Sequence, residues 1–262
     1  MIRHIKNGVI SYSFESFNNK QVQVEVISRH GGVSPQPWDS LNLGGTVGDS
    51  AGNVQKNKNH VIQAFNLDSE RIYDVWQVHS SDCIYTTKGR ASAEAHKRAD
   101  IIITDEPDLA LMMRFADCVP LFIYEPVQKA VGIAHAGWVG TAKNVAGTLV
   151  QAMVDQFGSK PFDLLAGIGP AICIDHYPVG NEVVDAIEKT IGTSIQLVTK
   201  VIEGKKHIDL KKCNELQFRN TGVVQVENSE ICTACDYEDW FSHRKGNGKT
   251  GRFGAFIKIT AS

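Results

Sequence analysis

Two apolar runs within the stretch MRFADCVPLFIYEPVQKAVGIAHAGWVGTA, residues 113–142 with its approach, constrain this chain most, because each leads to a side chain that binds metals or attacks carbon. Cys118 follows the run Leu109 to Ala116, and His135 closes the run Ala130 to Ala134. Such runs read as buried strands, and sites are commonly built at strand edges. A thiolate and an imidazole there suit either a soft divalent metal or a Cys-His nucleophile pair. His79, after the short run Val75 to Val78 in VWQVHSSDC, is the candidate third ligand. A His2Cys set leaves one tetrahedral position free, the arrangement of a catalytic rather than a structural zinc site. Nine histidines and six cysteines in 262 residues also make accidental placements certain, so spacing alone leaves both chemistries open.

With 42% hydrophobic and 21% charged residues, the chain can bury one large core, and one domain over 1–262 is expected. A formal charge of −2 supplies no basic field for nucleic acid, which points to small-molecule partners. No apolar segment approaches the length of a membrane helix. The start, MIRHIKNGVISYSFES, lacks the apolar region of a secretory signal, so the expected location is the cytoplasm. The cysteines are too scattered for a disulfide scaffold and read as reduced thiols. Cys232 and Cys235 form a CxxC with no second CxxC to complete a zinc ribbon, and they and Cys173 read as structural residues.

In chain order, Gly8 to Phe14 and Val22 to Ile27 predict two strands paired across Asn18 and Asn19. A long loop follows to about Gly48, in which Arg29 has the planar guanidinium that holds a phosphate or carboxylate and Asn42 can orient a hydroxyl or a purine edge. Ser50 or Asp49 caps a helix over 51–65. Ile72 to His79 and Cys83 to Thr87 predict a hairpin, with Gln77 on the same face as His79, followed by a polar loop in which His96 is solvated. Asp100, opening the strand Ile101 to Thr104, and Asp117 are the two carboxylates able to hold a ligating histidine. A helix from about Thr141 to Phe157, stopped by Gly158, starts near the proposed metal, where its free N–H groups favour an anion. The second half predicts a strand over 163–168, a helix over 179–191, a hairpin at Glu203-Gly204, a helix over 210–220 and a last strand over 252–259.

The words QVHSSDC, ADCVPLFIYEP and AHAGW, preceded by SRHGGVSPQPWDSLNLGGTVGD and followed by AGIGPAIC, YPVGNEV, HIDL, FSHRK and TGRFGAF, resemble the multicopper polyphenol oxidoreductase (laccase-domain) family over nearly the whole chain. Members of that family are also described as purine nucleoside phosphorylases with adenosine deaminase activity and as peptidoglycan-editing factors. The resemblance implies that His79, Cys118 and His135 ligate the metal. It favours Asp117 over Asp100 as the site carboxylate, and it implies that the words carrying Arg29, Asn42, Ser242 and Arg244 border the substrate site. Val139 departs from the family, whose word is AHAGWRG. An anion contact made by that arginine is then missing, or falls to Arg29, Lys143 or Arg244.

Strands and helices mix without regular βαβ alternation, predicting an α/β fold with mixed sheets between helical layers. The resemblance supports this fold, which is not a cupredoxin. The expected function is zinc-dependent purine nucleoside chemistry with one zinc per chain: deamination of adenosine, or phosphorolysis of adenosine, inosine and methylthioadenosine to base and ribose 1-phosphate. The alternatives are copper-dependent phenol oxidation and a metal-free Cys118-His135 hydrolase acting in peptidoglycan editing.

Overall fold

The computed structural model describes residues 1–18 and 20–260. Alternation of Val22, Val24 and Val26 puts three apolar side chains on one face, and that face begins the first sheet. The chain runs β1 (Ile2–Lys6), β2 (Val9–Ser13) and β3 (Val22–Ile27), then α1 (Ala51–Ala64), whose first turn is capped by the Ser50 hydroxyl accepting from the Asn53 N–H. β4 (Ile72–Asp74), β5 (Cys83–Tyr85), β6 (Ile101–Thr104), β7 (Ala110–Phe115), β8 (Val119–Glu125) and β9 (Ala130–Ala136) follow. After them come α2 (Trp138–Ala142), α3 (Val145–Phe157), β10 (Leu165–Ile168) and α4 (Asn181–Ile191). The hairpin β11 (Thr199–Ile202) and β12 (Lys205–Ile208), α5 (Leu210–Asn220), β13 (Gln225–Asn228) and β14 (Phe253–Ile259) complete the order.

Two six-stranded mixed sheets result, β1-β2-β3-β14-β7-β4 and β13-β10-β8-β9-β6-β5. They face each other across a core that includes Phe14, Phe115, Phe122 and Phe253, with Phe14 edge-on to Phe122 at 5.5 Å and Phe115 stacked on Phe253 at 5.8 Å. Truncating one such buried ring to alanine costs about 3–5 kcal/mol. The outer face of the second sheet packs on α3, α4 and α5 through Leu149, Met153, Ile187 and Phe218. The outer face of the first packs on α1 through Val61. The architecture is therefore α/β, with mixed sheets between helical layers. Among the described residues no helix is long and apolar enough to cross a membrane.

Two local expectations are corrected. Residues 72–87 are not a hairpin: β4 runs parallel to β7 in the first sheet, whereas β5 runs parallel to β6 in the second. The segment between them crosses from sheet to sheet, and it is held by Asp100, whose carboxylate accepts from the N–H groups of Val78 and Ser80. The helix expected over 141–157 is two helices, because Asn144 takes a left-handed φ of 57° that separates α2 from α3. The chain also starts with a strand, β1, paired antiparallel to β2. Of the turn expected at Asn18 and Asn19, Asn19 lies outside the described residues.

Candidate active site

His79, Cys118 and His135 come from three elements of different kinds. His79 sits on the sheet-to-sheet crossover, Cys118 on the tight connection between β7 and β8, and His135 inside β9. β8 and β9 pair with Pro120 opposite His135, which brings Cys118 beside the imidazole. One donor atom from each of the three residues lies within 4.8 Å of the others, with His79 Nε2 3.9 Å from Cys118 Sγ and the two imidazole rings 4.9 Å apart. His79 and Asp117, which precedes the cysteine, both have left-handed φ, 59° and 83°. Such backbone strain in residues other than glycine is concentrated at functional sites. Gly137 lets the chain pass close by: a Cβ there would lie 2.9 Å from His79 Cδ2 and 3.0 Å from Cys118 Sγ.

The electrostatics favour a charged cluster. His135 Nδ1 lies 2.9 Å from Asp100 Oδ1, and since a carboxylate only accepts, Nδ1 carries a proton and Nε2 is the nitrogen left to ligate a metal once it is deprotonated. Burial disfavours the imidazolium, but the Cys118 thiolate and Asp100 outweigh it and lift the His135 pKa to about 9. Burial likewise opposes the Cys118 thiolate, but His135 and His79 bring the thiol down to about 6. Asp100 is held low against burial by His135 and by the Ser80 and Val78 N–H groups. Two imidazoles and a thiol that ionises readily make a donor set suited to a soft divalent cation, with one tetrahedral position left for a ligand. His79, which is exposed, opens this cluster onto a cavity of about 850 Å³.

The cavity wall carries two exposed indoles, Trp76 (51% exposed) and Trp138 (37%). It also carries five cationic side chains, Lys58, Arg114, Lys143, Arg244 and Arg252. Arg114 is paired with Asp74. Lys58 and Lys143 have no ion pair with a carboxylate among the described residues. Burial and the neighbouring Arg114 push the Lys58 pKa below its usual value. Trp138 and Val139 start α2 directly after Gly137, so Val139 puts an apolar side chain on the cavity wall.

The other residues singled out from sequence divide. Gln77, Asp117 and Arg244 line the cavity. Gln77 has its amide engaged, donating to the Arg114 carbonyl at 2.8 Å and accepting from the Arg114 N–H at 2.9 Å. Asp117 accepts from the Arg244 N–H and from the Thr233 hydroxyl, both at 2.7 Å. Arg29, Asn42 and Ser242 do not line it, contrary to expectation. The Arg29 side chain is 8% exposed, and its guanidinium donates to the Asp39 carbonyl, the Asp39 carboxylate and the Tyr237 carbonyl, so all three of its nitrogens are engaged away from the cavity. Asn42 is fully buried and accepts from the N–H groups of Gly44 and Arg252, so it braces the wall from behind. Ser242, also buried, accepts from the Lys245 N–H and shapes the turn that presents Arg244.

Two residues take places that the sequence does not mark. Asp100, not Asp117, is the carboxylate on His135, and its signal in the sequence is its place at a strand entrance. His96, expected to be solvated, lines the cavity and lies 3.2 Å from the Asp74 carboxylate. Asp74 also takes Arg90 at 2.7 Å, so one buried carboxylate gathers two guanidinium groups and an imidazole at the cavity edge.

Residues 23–260 match a family model described as multi-copper polyphenol oxidoreductase laccase. A protein of Bacillus subtilis named purine nucleoside phosphorylase YlmD is 36% identical over 248 residues, covering 92% of this chain and 89% of its own length. The purine nucleoside phosphorylase YfiH of Escherichia coli is 33% identical over 235 residues, covering 88% and 90%. Among solved structures, YlmD from Geobacillus stearothermophilus superposes with a TM-score of 0.91 at 33% identity, covering 97% of each chain. The Neisseria meningitidis protein NMB0706 gives 0.83 at 28% identity, covering 97% of this chain and 100% of that one.

Proposed function

This chain belongs to the multi-copper polyphenol oxidoreductase laccase family, and on that premise we propose that it is a metal-assisted purine nucleoside enzyme working at the His79, Cys118 and His135 cluster. The observation that carries the reading is the combination in one cavity of an open three-donor cluster, two indole faces and two lysines that form no salt bridge among the described residues. Its curated relatives are named purine nucleoside phosphorylases, which fits this chemistry. We assign zinc as the ion. When bound by two imidazoles and a thiolate, it supplies Lewis acidity without redox chemistry.

The remaining work falls to the protein. Trp76 and Trp138 offer faces against which a purine stacks. Lys58, Lys143 and Arg244 attract phosphate, and Asp117, fixed by Thr233 and the Arg244 N–H, is the carboxylate on the cavity wall. In phosphorolysis a phosphate oxygen bonds to ribose C1′ as the C1′–N9 bond breaks, and N9 keeps the electron pair and gains a proton. In deamination a water oxygen adds to C6 of adenosine and the C6–N6 bond breaks, releasing ammonia. Asp100 keeps the His135 Nδ1 proton in place in either case.

Val139 removes one positive charge from the cavity, so phosphorolysis is expected to be weaker than deamination relative to members that carry arginine there. The test is Val139→Arg. It should raise phosphorolysis by lowering the phosphate KM, with deamination little changed. An unchanged phosphate KM would remove the anion role from this wall. The phenol-oxidation alternative meets a chemical limit, because one His2Cys site cannot by itself store the four electrons that dioxygen reduction takes.

A further inference from the structure

The CxxC that seemed to lack a partner has one. Its other half is Cys173-x-x-His176, 59 residues upstream of Cys232. Residues 171 and 232 form an isolated parallel bridge, and the Thr233 N–H donates to the Ala171 carbonyl, so the two segments are stitched side by side. Four donor atoms then converge within 4.8 Å of one another. His176 Nδ1 lies 3.4 Å from Cys173 Sγ, 3.5 Å from Cys235 Sγ and 4.0 Å from Cys232 Sγ, while the Cys173 and Cys235 sulfurs are 3.9 Å apart.

These separations are the edges of a coordination tetrahedron. Zinc–sulfur bonds of about 2.3 Å and zinc–nitrogen bonds of about 2.0 Å at tetrahedral angles give edges of about 3.8 Å between sulfurs and about 3.5 Å between sulfur and nitrogen. A packing role explains the site poorly, since Cys235 is exposed and His176 and Cys173 are only half-buried. The N–H groups of Cys173 and Cys235 both donate to Cys232 Sγ, at 3.2 and 3.4 Å, as backbone amides do toward a ligating thiolate.

The geometry points to a second metal site in which Cys173, His176, Cys232 and Cys235 bind one zinc ion and close its coordination sphere. A Cys3His set with no open position is structural rather than catalytic. The thiols that ligate release their protons to solvent, and no redox change is involved. The zinc staples two loops that both support Asp117: the Ile172 N–H donates to its carbonyl at 3.1 Å, and the Thr233 hydroxyl to its carboxylate at 2.7 Å. The site stands independently of the nucleoside reading.

The full chain, purified under reducing conditions without chelator, should carry about two zinc ions by elemental mass spectrometry. Cys118→Ala should retain one, Cys235→Ser should retain one, and the double variant should retain none. Cys118→Ala leaves all four proposed donors untouched, so it decides the matter even where Cys235→Ser fails to fold. Loaded with cobalt, it should show the intense visible bands of a tetrahedral ion and thiolate-to-cobalt charge transfer. A Cys118→Ala protein that is folded but binds neither zinc nor cobalt would overturn the site. Peptide mapping that finds a Cys173–Cys235 or Cys232–Cys235 disulfide in place of metal would overturn it too.

Discussion

The Asp100 carboxylate accepts the Nδ1 proton of His135 at 2.9 Å and, through its other oxygen, the N–H groups of Val78 and Ser80 on either side of His79. One buried side chain thus sets the tautomer of one donor histidine and the backbone of the other. The geometry of the cluster depends on a residue that touches neither metal nor substrate.

Asp100→Ala should therefore lower zinc affinity at the His79, Cys118 and His135 cluster by about 10–100-fold, the usual cost of losing a carboxylate behind a ligating histidine. Competition against a chromophoric chelator measures it. An unchanged affinity would mean that His135 needs no fixed tautomer.

In the metal-free protein Cys118 should react well ahead of Cys83 at neutral pH, because its pKa is brought down to about 6 whereas desolvation pushes Cys83 up to about 12. Its alkylation by iodoacetamide should rise through pH 6 and level off above pH 7. Zinc should suppress it, since the ion occupies the thiolate. If zinc leaves alkylation untouched while activity persists, Cys118 is a free nucleophile and the hydrolase alternative gains.

Asp74 predicts an acid-dependent loss of stability. Burial opposes its charge, but Arg114, Arg90 and His96 hold its pKa well below the ordinary carboxylate value. A depressed folded-state pKa contributes stability that is fully present above the unfolded value of about 4 and is lost as pH falls toward the folded one. Asp74→Asn, which strands two arginines, should destabilise by about 3–5 kcal/mol at pH 7. In urea titrations the gap to the parent should shrink below about pH 4. A gap that is constant with pH would show that Asp74 acts through packing.

Much of the fold was legible because its strands are long apolar runs and its helices carry caps: Ser50 before α1 and Gly158 after α3 mark their elements directly. The sheet crossover at 75–82 was not legible. Its backbone is held by an Asp100 side chain some twenty residues away, and local alternation reads the same in a hairpin as in a chain changing sheets. Arg29 illustrates a second limit. A guanidinium suits a phosphate or three backbone and side-chain acceptors equally well, and only the packing of Asp39 and Tyr237 around it decides. The Cys173 and His176 pair is not legible beside the CxxC, because 59 residues separate them and only the fold brings their donor atoms within 4.8 Å of Cys232 and Cys235.

The most direct measurement incubates zinc-loaded protein with adenosine, with and without phosphate, and identifies products by chromatography. Inosine should form regardless of phosphate, adenine and ribose 1-phosphate only when phosphate is present, and His79→Ala, Cys118→Ala and His135→Ala should each abolish all of them. If zinc-loaded protein yields no inosine, hypoxanthine or adenine while copper-loaded protein oxidises phenols with uptake of dioxygen, the nucleoside account is wrong and the oxidoreductase reading takes its place.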